Sequence, residues 1–258
     1  MHSLFDLTGQ TAIVTGSTKG IGKAIAFALA EAGANVVISS RKADVCDAVA
    51  AELNARGGGG KAVAIPANVS KDEDLDRLVA ETEAQLGPAD ILVLNAAVNP
   101  YMGPFLDTPD DAFDKTIAVN IRANIQLAKR VVPGMQAKGG GAIVIVSSIA
   151  AFKGSKMLGI YAVTKAADTQ IVRNLASAYG PDNIRVNGIA PAVVKTDFAR
   201  ALYEDPEREK QVSASYALKR LGEPDDIAGA ALFFSSRAGA WTTGQTLIID
   251  GGWSIEES

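Results

Sequence analysis

The sequence contains one cysteine, Cys46, and one histidine, His2, among its 258 residues. A lone cysteine excludes a disulfide within the chain, and one of each excludes the usual Cys/His zinc sites. No metal is expected, and any chemistry falls to other side chains. There is no block of lysine and arginine, and the net charge is −4. That balance argues against nucleic acid or an anionic membrane surface as the main partner. Apolar runs fall far short of the roughly 20 residues that cross a bilayer. Asp6 breaks the stretch that a signal peptide would need to keep hydrophobic. A cytoplasmic protein with no membrane partner is the expectation.

What is present is a chain 48% apolar with no linker-like composition shift, long enough to bury one large core, so residues 1–258 are expected to form a single domain. Apolar β-branched runs at 11–15, 35–39, 61–66, 90–94, 142–146, 184–190 and 245–249 alternate with segments of helical period. Strands buried on both faces and joined by helices predict a parallel sheet. The expectation is a doubly wound, Rossmann-type α/β fold with seven strands and helices on both faces, its ligand crevice at the carboxyl ends of the strands. Gly57-Gly58-Gly59-Gly60-Lys61 lacks the Ser or Thr that a P-loop needs, Ala62 standing there instead, and reads as a flexible surface connection. The acids at Asp72-Glu73-Asp74 and Asp110-Asp111 read as helix starts, where the dipole favours negative charge.

The organising stretch is Thr15-Gly16-Ser17-Thr18-Lys19-Gly20-Ile21-Gly22, between the first strand and the first helix. Free backbone N–H groups at a helix N-terminus attract phosphate, and glycines let a pyrophosphate approach the main chain. The spacing is G-x-x-x-G-x-G rather than the common G-x-G-x-x-G. About 20 residues further on, NAD-binding folds of this kind place an acid on the adenosine ribose, but here stand Ser40, Arg41 and Lys42. At an effective dielectric near 20, an acid ~4 Å from a 2′-phosphate would be repelled by about 4 kcal/mol per unit charge pair before screening, and Arg41 attracted by as much. Lys19 can reach the same phosphate from the other side. NADP(H) is therefore expected over NAD(H). The third strand ends in Asn68 and Val69 and the fourth in Asn95, Ala96 and Ala97, so that Asn68 can bind the adenine edge and Asn95 can tie adjacent strand ends together.

Tyr161 and Lys165 are four apart in a helical pattern and share a face. Ser147 and Ser148 follow the fifth strand. A phenol with its ordinary pKa near 10 is a poor proton-transfer group at neutral pH and needs a neighbouring cation. Lys165 is spaced to supply it.

Together, Thr15-Gly16-x-x-x-Gly20-Ile21-Gly22, Asn95-Ala96-Ala97, Asn120, Ser148, Tyr161-x-x-x-Lys165, Ile184-Arg185-Val186-Asn187, Arg220-Leu221-Gly222-Glu223-Pro224 and Asp250-Gly251-Gly252 resemble the short-chain dehydrogenase/reductase family in order and spacing over nearly the whole chain. The stretches around Ser40, Asn95 and Ser148 are similar to the NADP-dependent carbonyl and retinal reductases of peroxisomes. Their C-terminal peroxisomal address is missing from Glu256-Glu257-Ser258, so that location is not carried over.

The resemblance implies an oxidoreductase acting on a carbonyl or secondary alcohol. Tyr161 would be general acid or base, and Ser148 would hydrogen-bond the substrate oxygen. Lys165 would assist the tyrosine and hold the nicotinamide ribose, while Asn120 would keep a water in line with Lys165. The carboxamide would rest near Val194, and Thr196 would close over the phosphate. The family usually has Gly at positions 97 and 192, where this chain has Ala97 and Ala192, and Asp where it has Asn68. An alanine takes positive φ less freely, so those two loops are expected to sit differently.

Tyr101, Met102, Phe105, Phe152, Met157, Leu158, Phe198, Leu202 and Tyr203 suit an apolar small-molecule substrate. Lys153, Lys156 and Lys195 offer an acidic substrate as the alternative. A 3-oxoacyl-thioester reductase, a nucleotide-binding sensor or scaffold without turnover, and a lyase or isomerase on the same fold are the other functional readings. The family further implies a homotetramer built on the helices bearing Asn120 and Tyr161 and on the C-terminal strand.

Overall fold

A computed structural model describes residues 3–57 and 59–256; His2, Gly58, Glu257 and Ser258 lie outside the described residues. Seven strands form one sheet: β1 (Thr11–Thr15), β2 (Asn35–Ser39), β3 (Ala62–Ala64), β4 (Ile91–Leu94), β5 (Gly141–Val146), β6 (Ile184–Pro191) and β7 (Thr246–Ile249). All neighbouring pairs are parallel. The order is β3-β2-β1-β4-β5-β6-β7. The chain starts beside the middle, winds outward to β3, and returns to the other side of β1 at β4. The reversal opens a crevice between the carboxyl ends of β1 and β4. Each strand falls within two residues of its sequence expectation.

The helices named below are α1 (Gly20–Glu31), α2 (Ala43–Arg56), α3 (Asp72–Leu86), α4 (Asp110–Ile117), α5 (Ala123–Lys138), α6 (Gly159–Tyr179), α7 (Pro206–Ala214) and α8 (Pro224–Ser235). Alternate residues of each strand point to opposite faces. Ala12 and Val14 of β1 pack with Ile25 and Leu29 of α1, Leu53 of α2 and Phe234 of α8. Ile13 packs in a second layer with Leu75 of α3, Leu127 of α5 and Val172 of α6. Helices therefore cover both faces, as the apolar runs predict. The acid clusters do open α3 and α4.

The glycine run after α2 differs from its expectation. A Cβ at Gly59 would collide with the carbonyl of Ala30, and one at Gly60 with that of Ala34. These glycines let the chain pass against the end of α1, so they are packing residues rather than a free connection.

Candidate active site

The turn Thr15–Gly22 lines a crevice with three of its glycines together with Thr18, Lys19 and Ile21. Gly16 and Gly20 have φ of +66° and +54°, a region that favours glycine. A Cβ at Gly22 would strike the Gly16 carbonyl, and one at Gly20 would come within 2.9 Å of Thr196. Thr196, after β6, thus lies against the turn.

Asn95 fixes the turn from the neighbouring strand. Its Nδ2 donates to the carbonyls of Thr15 at 2.9 Å and Gly16 at 3.2 Å, while its N–H and that of Ala96 donate to Thr15 Oγ1 at 3.0 and 3.1 Å. Ser17 does not line the crevice. It is fully buried, with its Oγ accepting from the Ser39 N–H at 2.8 Å. Its side chain joins the turn to the end of β2.

The crevice measures about 870 Å³ and runs from Ser40, Arg41 and Lys42 past Thr18, Lys19, Gly20 and Ile21 to Tyr161 and Lys165. Free N–H groups of a glycine turn at the start of a helix fit the pyrophosphate of a dinucleotide. Its adenosine end is lined by Ser40, Arg41, Lys42, Asn68 and Val69, with no acidic side chain among them. Lys19 is engaged across the mouth, its Nζ 3.2 Å from Asp197 Oδ2.

Asn68 Oδ1 accepts from both the N–H and Oγ of Ser70, at 3.2 and 2.9 Å. This Asx turn before α3 occupies both lone pairs. Asn68 Nδ2 is left as the donor of that side chain at this end of the crevice. Ala97 lines the crevice beside Ala96. Neither Ala97 nor Ala192 has positive φ, so the two loops carry no strain from their departure from glycine.

The proton-transfer set gathers at the other end. α6 buries a stripe of Tyr161, Thr164, Lys165 and Asp168 before Val172 and Ala176. Lys165 Nζ lies 5.7 Å from the Tyr161 ring centre and donates to the Val146 carbonyl at 2.9 Å. It also pairs with Asp168 Oδ2 at 3.1 Å. Burial works against the Lys165 charge, but Asp168 and Tyr161 outweigh it and hold the ammonium above its ordinary range. Burial pushes the Asp168 carboxyl up, opposed by Lys165 and by Asn124.

Ser148 caps the turn Ile149–Ala151, its Oγ accepting from the Ala150 N–H at 3.1 Å. Ser147 is committed elsewhere, donating to the Lys165 carbonyl at 2.8 Å.

Asn120 stands in a π-helical turn, Ala118–Arg122, between α4 and α5, a distortion frequent at functional sites. Its side chain clamps Val98, accepting from the N–H at 2.9 Å and donating to the carbonyl at 3.0 Å, and also reaches Thr164 Oγ1 at 3.0 Å. The amide is thus engaged with Val98 and Thr164. A hydrogen-bonded route from Asn120 towards Lys165 runs through its main-chain carbonyl to Asn124 Nδ2 at 2.9 Å, then to Asp168 Oδ1 at 3.4 Å. Sequence reasoning missed Asn124 and Asp168. The signal was there in the second case, an acid three residues after Lys165 and so on the same helix face.

Val194 is buried below the crevice and bridges to Gly222. Of the apolar residues expected around the substrate, Phe198 lines the crevice, its ring tilted at 38° to that of Tyr161 with centroids 5.9 Å apart. Met102, Phe105, Phe152 and Met157 are half-exposed and are not part of the crevice lining. Lys195 is paired with Glu209 at 2.7 Å and Glu223 at 3.6 Å, and Lys153 lies over the Trp253 ring at 4.2 Å. These pairings commit both lysines to the protein itself rather than to an acidic substrate.

A seven-stranded parallel sheet with a glycine turn facing a Tyr/Lys pair defines a dinucleotide-binding oxidoreductase fold. Comparison with known proteins agrees. A family described as Enoyl-(Acyl carrier protein) reductase matches residues 16–254. The chain is 44% identical over 246 residues to the Bos taurus protein "Dehydrogenase/reductase SDR family member 4", covering 95% of this chain and 88% of that one. Among solved structures, a 7 alpha-hydroxysteroid dehydrogenase complexed with NADH and 7-oxo glycochenodeoxycholic acid is 38% identical, with a TM-score of 0.92 over 98% of this chain and 97% of that one. A gluconate 5-dehydrogenase from Burkholderia cenocepacia J2315, in complex with NADP and tartrate, is 30% identical with a TM-score of 0.93 over 99% of each chain. The chain belongs to the short-chain dehydrogenase/reductase family. No helix among the described residues is long and apolar enough to cross a membrane, and none of their His, Cys, Asp and Glu side chains cluster as a metal site.

Proposed function

We propose that this protein is an NADP-dependent oxidoreductase for an apolar ketone, aldehyde or secondary alcohol, with Tyr161 as general acid and base. The observation that carries it is that Tyr161 and Lys165 line the same crevice as the glycine turn. Bound in that crevice, the nicotinamide supplies or accepts hydride at its C4. Arg41 and Lys42 neutralise a 2′-phosphate, and the turn before α1 holds the pyrophosphate. Ser148 orients the substrate oxygen, and Tyr161 gives it a proton in reduction or takes one in oxidation. Lys165 favours the ionised phenol through its charge. Phe198, on the crevice wall against Tyr161, favours an apolar substrate.

The test is a panel of ketones, aldehydes and secondary alcohols followed by nicotinamide absorbance with wild type and Tyr161→Phe. Turnover should fall by at least about 100-fold in the variant while NADPH binding persists; retained turnover refutes the assignment of Tyr161. A second reading, reduction of a 3-oxoacyl thioester, is favoured by the likeness of the chain to a solved 3-oxoacyl (acyl-carrier-protein) reductase. An acetoacetyl thioester included in the panel separates the two.

A further inference from the structure

The segment between β3 and α3 reaches the crevice with most of its polar groups already committed. Its main chain is pinned on two sides, the Ala67 N–H donating to the Ser40 carbonyl at 2.9 Å and the Asn68 N–H to Asp74 Oδ2 at 2.7 Å. The Asn68 side chain is oriented by Ser70, whose N–H donates to Oδ1 at 3.2 Å and whose Oγ lies 2.9 Å from the same atom. A main-chain N–H can only donate, so the atom facing it is the amide oxygen, and the orientation of the amide is fixed. Both lone pairs of Oδ1 are taken. Nδ2 has no partner among the described residues, on a half-buried side chain that lines the crevice. An asparagine reads adenine through both amide atoms at once, the oxygen accepting from N6–H and the nitrogen donating to N7. Here the first half of that contact is unavailable. A lone donor suits N7 of adenine, and it suits N7 or O6 of a 6-oxopurine equally.

We propose that Asn68 sets base specificity by presenting a donor alone, so that the crevice does not select for the 6-amino group and takes a dinucleotide carrying hypoxanthine in place of adenine nearly as well as NADPH. This rests on a dinucleotide lying in the crevice with its base beside Asn68. The neighbouring groups do not restore the missing acceptor. Arg41 and Lys42 only donate, and the Ser40 hydroxyl meets Cys46 Sγ at 3.3 Å. Asp74, the carboxylate that opens the way into α3, is committed to the Asn68 N–H and to Arg77 at 3.4 Å, and does not line the crevice.

The test is titration of the whole protein by reduced-nicotinamide fluorescence, with NADPH and with its hypoxanthine analogue, for wild type and Asn68→Asp. The variant keeps an oxygen for Ser70 and puts a second oxygen where Nδ2 stands, so it gains an acceptor for N6–H. The two ligands differ only in the base. The added charge, and any general loss of stability, therefore acts on both alike and cancels in the ratio of their dissociation constants. Wild type should favour adenine by less than about five-fold, and Asn68→Asp should move the ratio towards adenine by about ten-fold or more, as a hydrogen bond to a charged acceptor does. A larger wild-type preference, or a smaller shift in the variant, overturns the proposal. The same ratio is read with NADH and its hypoxanthine analogue, which lack the 2′-phosphate. A preference for NADH thus refutes the NADP assignment while the base ratio still decides on Asn68, and binding of none of the four ligands overturns both.

Discussion

The Asn95 Nδ2 donates to the Thr15 carbonyl across 2.9 Å and so ties the end of β4 to the glycine turn that leaves β1. This side chain sets the shape of the phosphate site without needing to touch a phosphate. Asn95→Ala leaves two carbonyls without that donor, a loss of about 1–3 kcal/mol for buried acceptors. We expect weaker NADPH binding, by about five-fold or more, with a lower melting temperature. Fluorescence titration and thermal unfolding read the two effects; unchanged affinity would show that the turn holds its shape alone.

Arg41 and Lys19 should differ in their effect on cofactor choice. Arg41 is exposed at the adenosine end, where a 2′-phosphate would meet it directly. Arg41→Ala should weaken NADPH by on the order of ten-fold and leave NADH little changed. Lys19 already pairs with Asp197, which Arg200 also contacts at 3.0 Å, so Lys19→Ala removes a cation that is partly neutralised and should cost less. Both losses should shrink as salt is raised. A ten-fold preference of the wild type for NADH would overturn the NADP assignment.

Assembly is tested by light scattering after size exclusion. Phe113 on α4, Ile125 on α5 and Val163 on α6 are 42%, 43% and 47% exposed, large apolar side chains on the helices flanking Asn120 and Tyr161. A homotetramer at micromolar concentration is expected, and Ile125→Lys should lower the mass. A monomeric wild type would remove the prediction.

Acid stability should carry the mark of Asp226. Its hydrogen bonds to Arg220, at 2.6 and 2.9 Å, and to the Glu223 N–H, at 2.7 Å, hold the carboxyl down from 3.8 to about 2. A carboxylate depressed on folding stabilises the fold above its unfolded value and loses that contribution as pH falls through the folded one. Denaturation midpoints of wild type and Asp226→Asn should therefore differ near pH 5 and converge between about 4 and 2. A difference that persists unchanged at about pH 2 would assign it to packing instead.

Much of this protein was legible before any coordinates. Strand positions follow from apolar runs, because a strand buried on both faces needs a continuous run. The turn at Gly16, Gly20 and Gly22, the cations at Arg41 and Lys42, and the Tyr161/Lys165 spacing are local patterns with local physical causes. What a side chain does once the strands assemble is another matter. Ser17 Oγ meets the Ser39 N–H and Asn68 Oδ1 accepts twice from Ser70, pairings no local pattern announces; Gly59 and Gly60 looked loose and are packed where a Cβ would strike the Ala30 and Ala34 carbonyls.

Those outcomes, and the chain Asn120–Asn124–Asp168–Lys165, depend on groups up to 44 residues apart in sequence. Periodicity and composition report which face of an element is buried, since that is a property of neighbouring residues. They carry no record of which buried donor meets which buried acceptor. That pairing is set by how the helices lie across the sheet, where each polar group taken from water must find a partner.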